Sequence, residues 1–296
     1  MESLKNITDY EIWHDESKKG GYYHGLLFVP VSKKQDLLNS LKRIRDEHGI
    51  AYDTEIKFSG CLKQGTPGRF VRNQLSLFKH VIKTNPKDCT KLYNRSEKDK
   101  YEGNFEPFLK LCEKYRHRFG LLRIKNIKDS LDYFHNYRKK VETTFRFVVK
   151  GCCHGMFDRN SPIRLKDLHF DGNNQYKGDL DAKRILKGRW RQYCRIDDNL
   201  QIDDKHMSER ESDAKLIMNF VDNVVGAWRA RINGKADPKQ YLYPLKELHQ
   251  RARDKKIFSN TNSRWYRSIS LSEFTIRDGE PKFPDLFRNP NQQSLF

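Results

Sequence analysis

The sequence has no apolar run approaching the roughly 18–20 residues that cross a bilayer as a helix, and no secretory signal pattern at its start. A membrane-spanning or exported protein is therefore not expected, and the reducing cytoplasm is the expected compartment. The six cysteines (Cys61, Cys89, Cys112, Cys152, Cys153 and Cys194) include no CxxC pair and no repeating framework, which argues against a disulfide scaffold or a zinc ribbon. Cys152-Cys153-His154 has the makings of a zinc fragment. It sits in an apolar helical stretch without a matching second pair, so buried free thiols are expected there. No Walker loop, GxGxxG turn or GxSxG elbow is present, which argues against ATP-driven, dinucleotide and serine-hydrolase chemistry. Acidic residues are in short supply too: 39 Asp+Glu stand against 58 Lys+Arg, a net charge of +19.

That imbalance is the strongest compositional feature. A surface this positive attracts phosphates and accelerates encounter with polyanions, and no amphipathic membrane helix competes for the role, so nucleic acid is the expected partner. The hydrophobic fraction is only 36%, yet 18 Phe, 14 Tyr and 4 Trp supply bulky core material, so an ordered fold is expected over most of the 296 residues.

Residues 10–13 read as a strand running into His14-Asp15-Glu16-Ser17. Residues 18–21 read as a turn and 22–31 as a second, apolar strand, together a hairpin. Over 33–48, Leu37, Leu38, Leu41 and Ile44 recur at helical spacing, and Gly49 is a natural stop. A short strand over 50–58 carries Glu55 and Lys57. Helices over 69–82 and about 105–119 flank a lysine-rich connection at 83–100. A strand at 121–124 and a long helix over 130–157 follow. A buried strand over 165–170 then delivers Asp171 to the polar turn Gly172-Asn173-Asn174. The remainder reads as a basic helix over about 179–193, a long helix over 212–232, an amphipathic helix near 244–253 and a strand over 267–276. Strands interleaved with helices imply an α/β layer fold.

Three acids stand out by position. Asp15 lies at the end of the first strand and Asp171 at the end of a later one, where α/β proteins build their sites. Asp222 lies at the lip of the apolar stripe Ile217, Phe220, Val221, Val224 and Trp228, one turn before Gly226. A solvated aspartate on an amphipathic helix has the same pattern. Converging carboxylates are what Mg²⁺ or Mn²⁺ requires, and two such ions about 4 Å apart hydrolyse a phosphodiester. Glu16 and Glu55 are candidates for a fourth ligand, and Lys57, two residues on from Glu55, for a phosphate contact.

His14-Asp15-Glu16-Ser17 after a strand resembles the opening "DES" signature of a prokaryotic family known as domain of unknown function 3800, thought to have an RNase H-like fold. Glu55-Ile56-Lys57 looks like that family's next marker, and Leu168-His169-Phe170-Asp171 like its strand-borne aspartate. The stretch from Ile217 to Ala227 is similar to its "LLQLADLLAGA" helix, with Asn219 where Gln is usual and Val221 where Ala is usual. Lys18 follows the first motif where Gly is usual. The resemblance implies that Asp15, Glu55, Asp171 and Asp222 are catalytic, metal-binding acids, with Glu16 and Lys57 in support. Members often neighbour mobile-element and phage-defence genes, which implies a defence role.

Lys183, Arg184, Lys187, Arg189, Arg191 and Arg195 crowd together with Trp190 and Tyr193, twelve residues beyond Asp171. A solvated helix face and a nucleic-acid-binding rim both fit this run, and Arg229 and Arg231 extend it. The resulting expectation is an α/β, RNase H-like mixed sheet flanked by helices over 1–235, with a helical insertion at about 60–158. A C-terminal extension over 236–296 packs on the same domain. The expected function is Mg²⁺- or Mn²⁺-dependent hydrolysis of DNA or RNA. A non-catalytic nucleic-acid-binding or regulatory module on the same fold is the alternative, and a metal-using nucleotidyl transferase a second. Whether a protein partner controls activity stays open.

Overall fold

Thr8–Ser17 forms the first strand (β1) and Tyr22–Pro30 the second (β2), joined antiparallel from Tyr10 opposite Pro30 to Ser17 opposite Tyr23, the expected hairpin. In this computed structural model the described residues are 7–17, 21–58, 65–82, 116–124, 137–157, 162–170, 186, 190, 192–235, 242–246, 248, 268–277 and 280–282. The whole of β2 is buried, because helices cover both of its faces; it therefore reads as a continuous apolar run.

The remaining elements are α1 (Lys34–Glu47), α2 (Thr66–Ile82), β3 (Arg118–Ile124), α3 (Tyr137–Met156), β4 (Ile163–Phe170), β5 (Cys194–Asp203), α4 (Ser212–Ile232), β6 (Ile269–Arg277) and β7 (Glu280–Lys282). The sheet runs β5-β4-β1-β2-β3-β6-β7. β4 lies parallel to β1, β5 parallel to β4 and β6 parallel to β3, whereas β2 runs antiparallel to both its neighbours. The architecture is mixed α/β.

Two cores sandwich the sheet. Trp13, Tyr23, Leu27 and Val29 meet the apolar faces of α1, α2 and α4 on one side. Tyr10, Ile12, Leu26 and Phe28 meet Phe145, Val148, Val149 and Cys152 of α3 on the other. Both helical layers come close where a strand carries glycine. A Cβ on Gly25 would collide with Val225 of α4, and one on Gly120 with Cys152 of α3. None of the described helices is long and apolar enough to cross a membrane.

Several expectations require correction. Residues 51–57 form no strand; their carbonyls are taken by side chains instead of a neighbouring strand, as described below. The strand expected at 121–124 is β3, and its pairing with β2 and β6 makes part of the interval 60–158 integral to the sheet. Within the helix expected at 105–119, residues 105–115 lie outside the described residues, and Arg118 and Phe119 belong to β3. Strand β5, which the sequence did not suggest, is a partly exposed polar strand at the edge of the sheet. The C-terminal region contributes β6 to the sheet itself. Residues 83–100 and most of 179–193 lie outside the described residues.

The chain leaves β1 toward β2 on one side, and β4 returns on the other side of β1. The carboxyl ends of β1 and β4 therefore flank a switch point in strand order, where open α/β sheets form a crevice.

Candidate functional site

Asp15 lies near the carboxyl end of β1, buried, opposite Gly25. The missing side chain at Gly25 lets Val225 of α4 seat against the strand pair. One turn further along, the Arg229 guanidinium donates to the Ser17 hydroxyl, tying α4 to the end of β1. At about 100° per residue, Asp222 and Arg229 fall within roughly 60° of Val225, on the flank shared with Asn219 and Gly226. Trp13, Asp15 and Ser17 alternate onto the sheet face that α4 covers. The expected pair Asp15 and Asp222 thus belongs to one strand end and the helix laid over it, with Asp222 half-buried.

Glu16 alternates to the opposite face, where the Tyr22 hydroxyl donates to its carboxylate. It therefore does not share Asp15's side of the sheet. His14 also faces that side. Its Nε2 lies 2.9 Å from Nδ1 of His24, whose Nε2 lies 3.0 Å from the Thr144 hydroxyl. Burial, and then the His24 ring, push the His14 pKa down to about 3, so it packs as a neutral imidazole.

The segment bearing Glu55 and Lys57 is fastened to α4 by buried side chains. Arg45 donates to the carbonyls of Ala51 (2.6 Å) and Thr54 (2.7 Å) and to Oδ1 of Asn219 (2.8 Å). Asn219 in turn donates to the Ile56 carbonyl at 2.9 Å. Two residues on, Phe58 packs where a Cβ on Gly226 would stand 2.6 Å from its ring. Ile56 is thus held at Asn219 and Phe58 at Gly226. Glu55 and Lys57 are exposed and stand 3.7 Å apart.

Among the described residues, Asp15, Glu55 and Asp222 do not close into a compact ligand set; Asp171 lies outside those residues. So do the expected phosphate contacts Lys183, Arg184, Lys187, Arg189 and Arg191. Arg195 is exposed on β5. The Cys152–Cys153 fragment is not a zinc site: both thiols are free and buried, and burial pushes that of Cys152 up to about 12.

The compact donor set lies elsewhere on the same face, and sequence reading missed it. Glu11, Asp167 and His169 offer donor atoms all within 4.8 Å of one another. An irregularity in the β1–β4 register between Tyr10 and Glu11 brings this about: Tyr10 lies opposite Leu165, but Glu11 lies opposite Asp167. The extra residue, Lys166, flips the alternation of β4, so Leu165 faces one core while Asp167 and His169 face the other side. The His169 ring then stacks on Trp13, centroids 3.8 Å apart. Burial by itself raises the Glu11 carboxyl, but the His169 ring facing it and the Lys34 ammonium together outweigh it and leave the pKa below its ordinary value. The available signals were the i, i+2 spacing of Asp167 and His169 and the acid Glu11 in an apolar strand.

The chain matches no protein-family model, no curated protein and no solved structure.

Proposed function

We propose that this chain is a nuclease dependent on Mg²⁺ or Mn²⁺, built on an RNase H-like fold and related to the "DES" family it resembles, that hydrolyses phosphodiester bonds in DNA or RNA. The observation that carries this reading is the junction of Asp15 and Ser17 with the α4 flank bearing Asp222 and Arg229, at the switch point of a mixed sheet. The antiparallel run β1–β2–β3, continued beyond β1 by the parallel strands β4 and β5, supports the RNase H-like assignment.

The donors at this junction are carboxylate oxygens, one buried and one half-buried, which suit a hard divalent cation. Bound there, such a cation supplies Lewis acidity and lowers the pKa of a coordinated water. The chain's own groups do the rest. Asp15 and Asp222, with Glu55 and with Asp171 just after β4, would hold the cation. Ser17 fixes the Arg229 guanidinium where it meets a phosphate oxygen. The exposed Lys57 neutralises the neighbouring backbone. The net charge of +19 draws the polyanion in. The described cysteines are free, which suits the reducing cytoplasm.

Purified protein incubated with plasmid, single-stranded DNA and RNA in Mg²⁺ or Mn²⁺ tests the proposal. Cleavage is expected, reduced at least about 100-fold in Asp15→Asn and in Asp222→Asn, the scale of losing one preorganised charge-stabilising group. Thermal midpoints should be unchanged. Tight nucleic-acid binding without cleavage, unaffected by either substitution, would replace this reading with the binding-module alternative that the charge also supports.

A further inference from the structure

We propose that Glu11, Asp167 and His169 form a binding site for a divalent transition-metal cation of the zinc type, separate from the acids at the carboxyl end of β1. The argument starts from the imidazole. His169 Nδ1 lies 3.2 Å from the Asp203 carboxylate, which also accepts from the Arg210 guanidinium and from the Lys205 backbone N–H. A carboxylate so surrounded by donors accepts and does not donate, so Nδ1 is held as a donor to Asp203 and Nε2 is the ring nitrogen left to face Glu11. That Nε2 is fully buried, has no hydrogen-bond partner among the described residues, and faces Glu11 Oε2 at 3.6 Å.

Glu11 Oε2 accepts from Trp13 Nε1 at 3.2 Å and pairs with Lys34, which leaves the gap between Nε2 and this oxygen unbridged. At 3.6 Å the pair is too far apart for an N–H···O hydrogen bond. The spacing suits a metal: two donors bound at about 2.0–2.2 Å with tetrahedral angles stand roughly 3.4 Å apart. The Asp167 carboxylate completes the set and takes no hydrogen bond from the described residues. Asp203 on Nδ1 is the outer carboxylate that metal-bound imidazoles usually have. One nitrogen and two carboxylates favour zinc-type ions over Mg²⁺, which prefers oxygen alone.

A built-in cation already tests the pocket. Lys34 Nζ lies 3.0 Å from Oε1 and 2.9 Å from Oε2 of Glu11, and its side chain is about one-third exposed. The ammonium can therefore swing out to water when a metal takes the carboxylate. Glu11 precedes Asp15 by four residues, about 13 Å along a strand, well beyond the roughly 4 Å of a two-metal pair. The proposed ion therefore serves to tie the bulged β4 to β1, independently of the nuclease reading.

Zinc titration of the chelator-treated full chain, followed by calorimetry, decides the matter, with Mg²⁺ as the comparison ion. Zinc is expected to fill this site in preference to Mg²⁺. His169→Ala and Glu11→Gln should abolish that uptake, and Asp203→Asn should weaken it about 10- to 100-fold. Lys34→Met should tighten it, because the competing ammonium is gone; a merely structural ion pair predicts no gain. Asp15→Asn should leave zinc affinity unchanged even if it removes nuclease activity, so the two proposals fail separately. Zinc uptake unaltered in folded His169→Ala, or no uptake by wild type, overturns the proposal. Should the buried substitutions unfold the chain, Lys34→Met decides alone, and unchanged or weaker zinc affinity in it counts against the site.

Discussion

The bridge from Arg45 through Asn219 to the 51–58 segment allows a quantitative test. Arg45 is only 1% exposed and Asn219 2%, so neither partner has ready recourse to water when the other is removed. Asn219→Leu leaves one Arg45 nitrogen and the Ile56 carbonyl without their partners. An abandoned buried polar group costs about 1–3 kcal/mol, so the expected loss is roughly 2–6 kcal/mol. Arg45→Met frees the carbonyls of Ala51 and Thr54, but both residues are exposed and water can replace the guanidinium. Its loss is set at about 2–4 kcal/mol, as hydrogen bonds from a charged donor are each worth roughly 1.5–3 kcal/mol. In the double variant the shared Arg45–Asn219 bond is lost once, not twice, so the two losses should fall short of their sum by about 1–3 kcal/mol. Urea unfolding of the four proteins, with m-values held equal, reads the coupling directly. Additivity within about 0.5 kcal/mol would refute the bridge.

Two further outcomes follow from packing and burial. Gly25→Ala pushes a methyl group into Val225 and should destabilise by about 1–3 kcal/mol, with partial recovery in Gly25→Ala/Val225→Ala, as thermal and urea melts would record. His117 is buried, and burial holds its pKa at about 3, below that of an unfolded histidine. The unfolded chain therefore takes up the proton first, so stability is lost as pH falls from about 6.5 toward 3, at up to roughly 1.4 kcal/mol per pH unit. His117→Gln should flatten the acid limb of the stability–pH curve by that amount; an identical slope in the variant would refute the attribution.

Legibility in the sequence tracked how local each determinant is. α4 was readable to its ends, because a 3.6-residue apolar period over 21 residues leaves no competing pattern. The β1–β2 hairpin was readable from two apolar runs around a glycine turn. The alternation around Glu55-Ile56-Lys57 imitated a strand, yet Arg45 and Asn219, distant in sequence, claim the carbonyls a strand partner would need. Strand β5 escaped notice because, at the sheet's edge, Arg195 to Asp203 have little reason to be apolar. Asp15 and Asp222 could be proposed from position and resemblance. The spacing of Asp167 and His169 and the acid Glu11 in an apolar strand were visible, but their convergence was not, because the face taken by the first two depends on one extra residue in β4, and no local rule reveals a bulge.

The Arg229–Ser17 contact joins residues 212 apart, and the Arg164–Asp9 pair at the other end of β1 joins residues 155 apart. Such separations give a fold a high contact order, and loop closure must be completed before these pairings contribute any stability. A nascent chain therefore carries Asp15 long before it owns the helix that faces it. The acidic junction comes into being only after more than two hundred residues have been made, so a ribosome-bound fragment holds half a site and none of its chemistry. In the nuclease proposed above, this timing would delay activity until synthesis is well advanced.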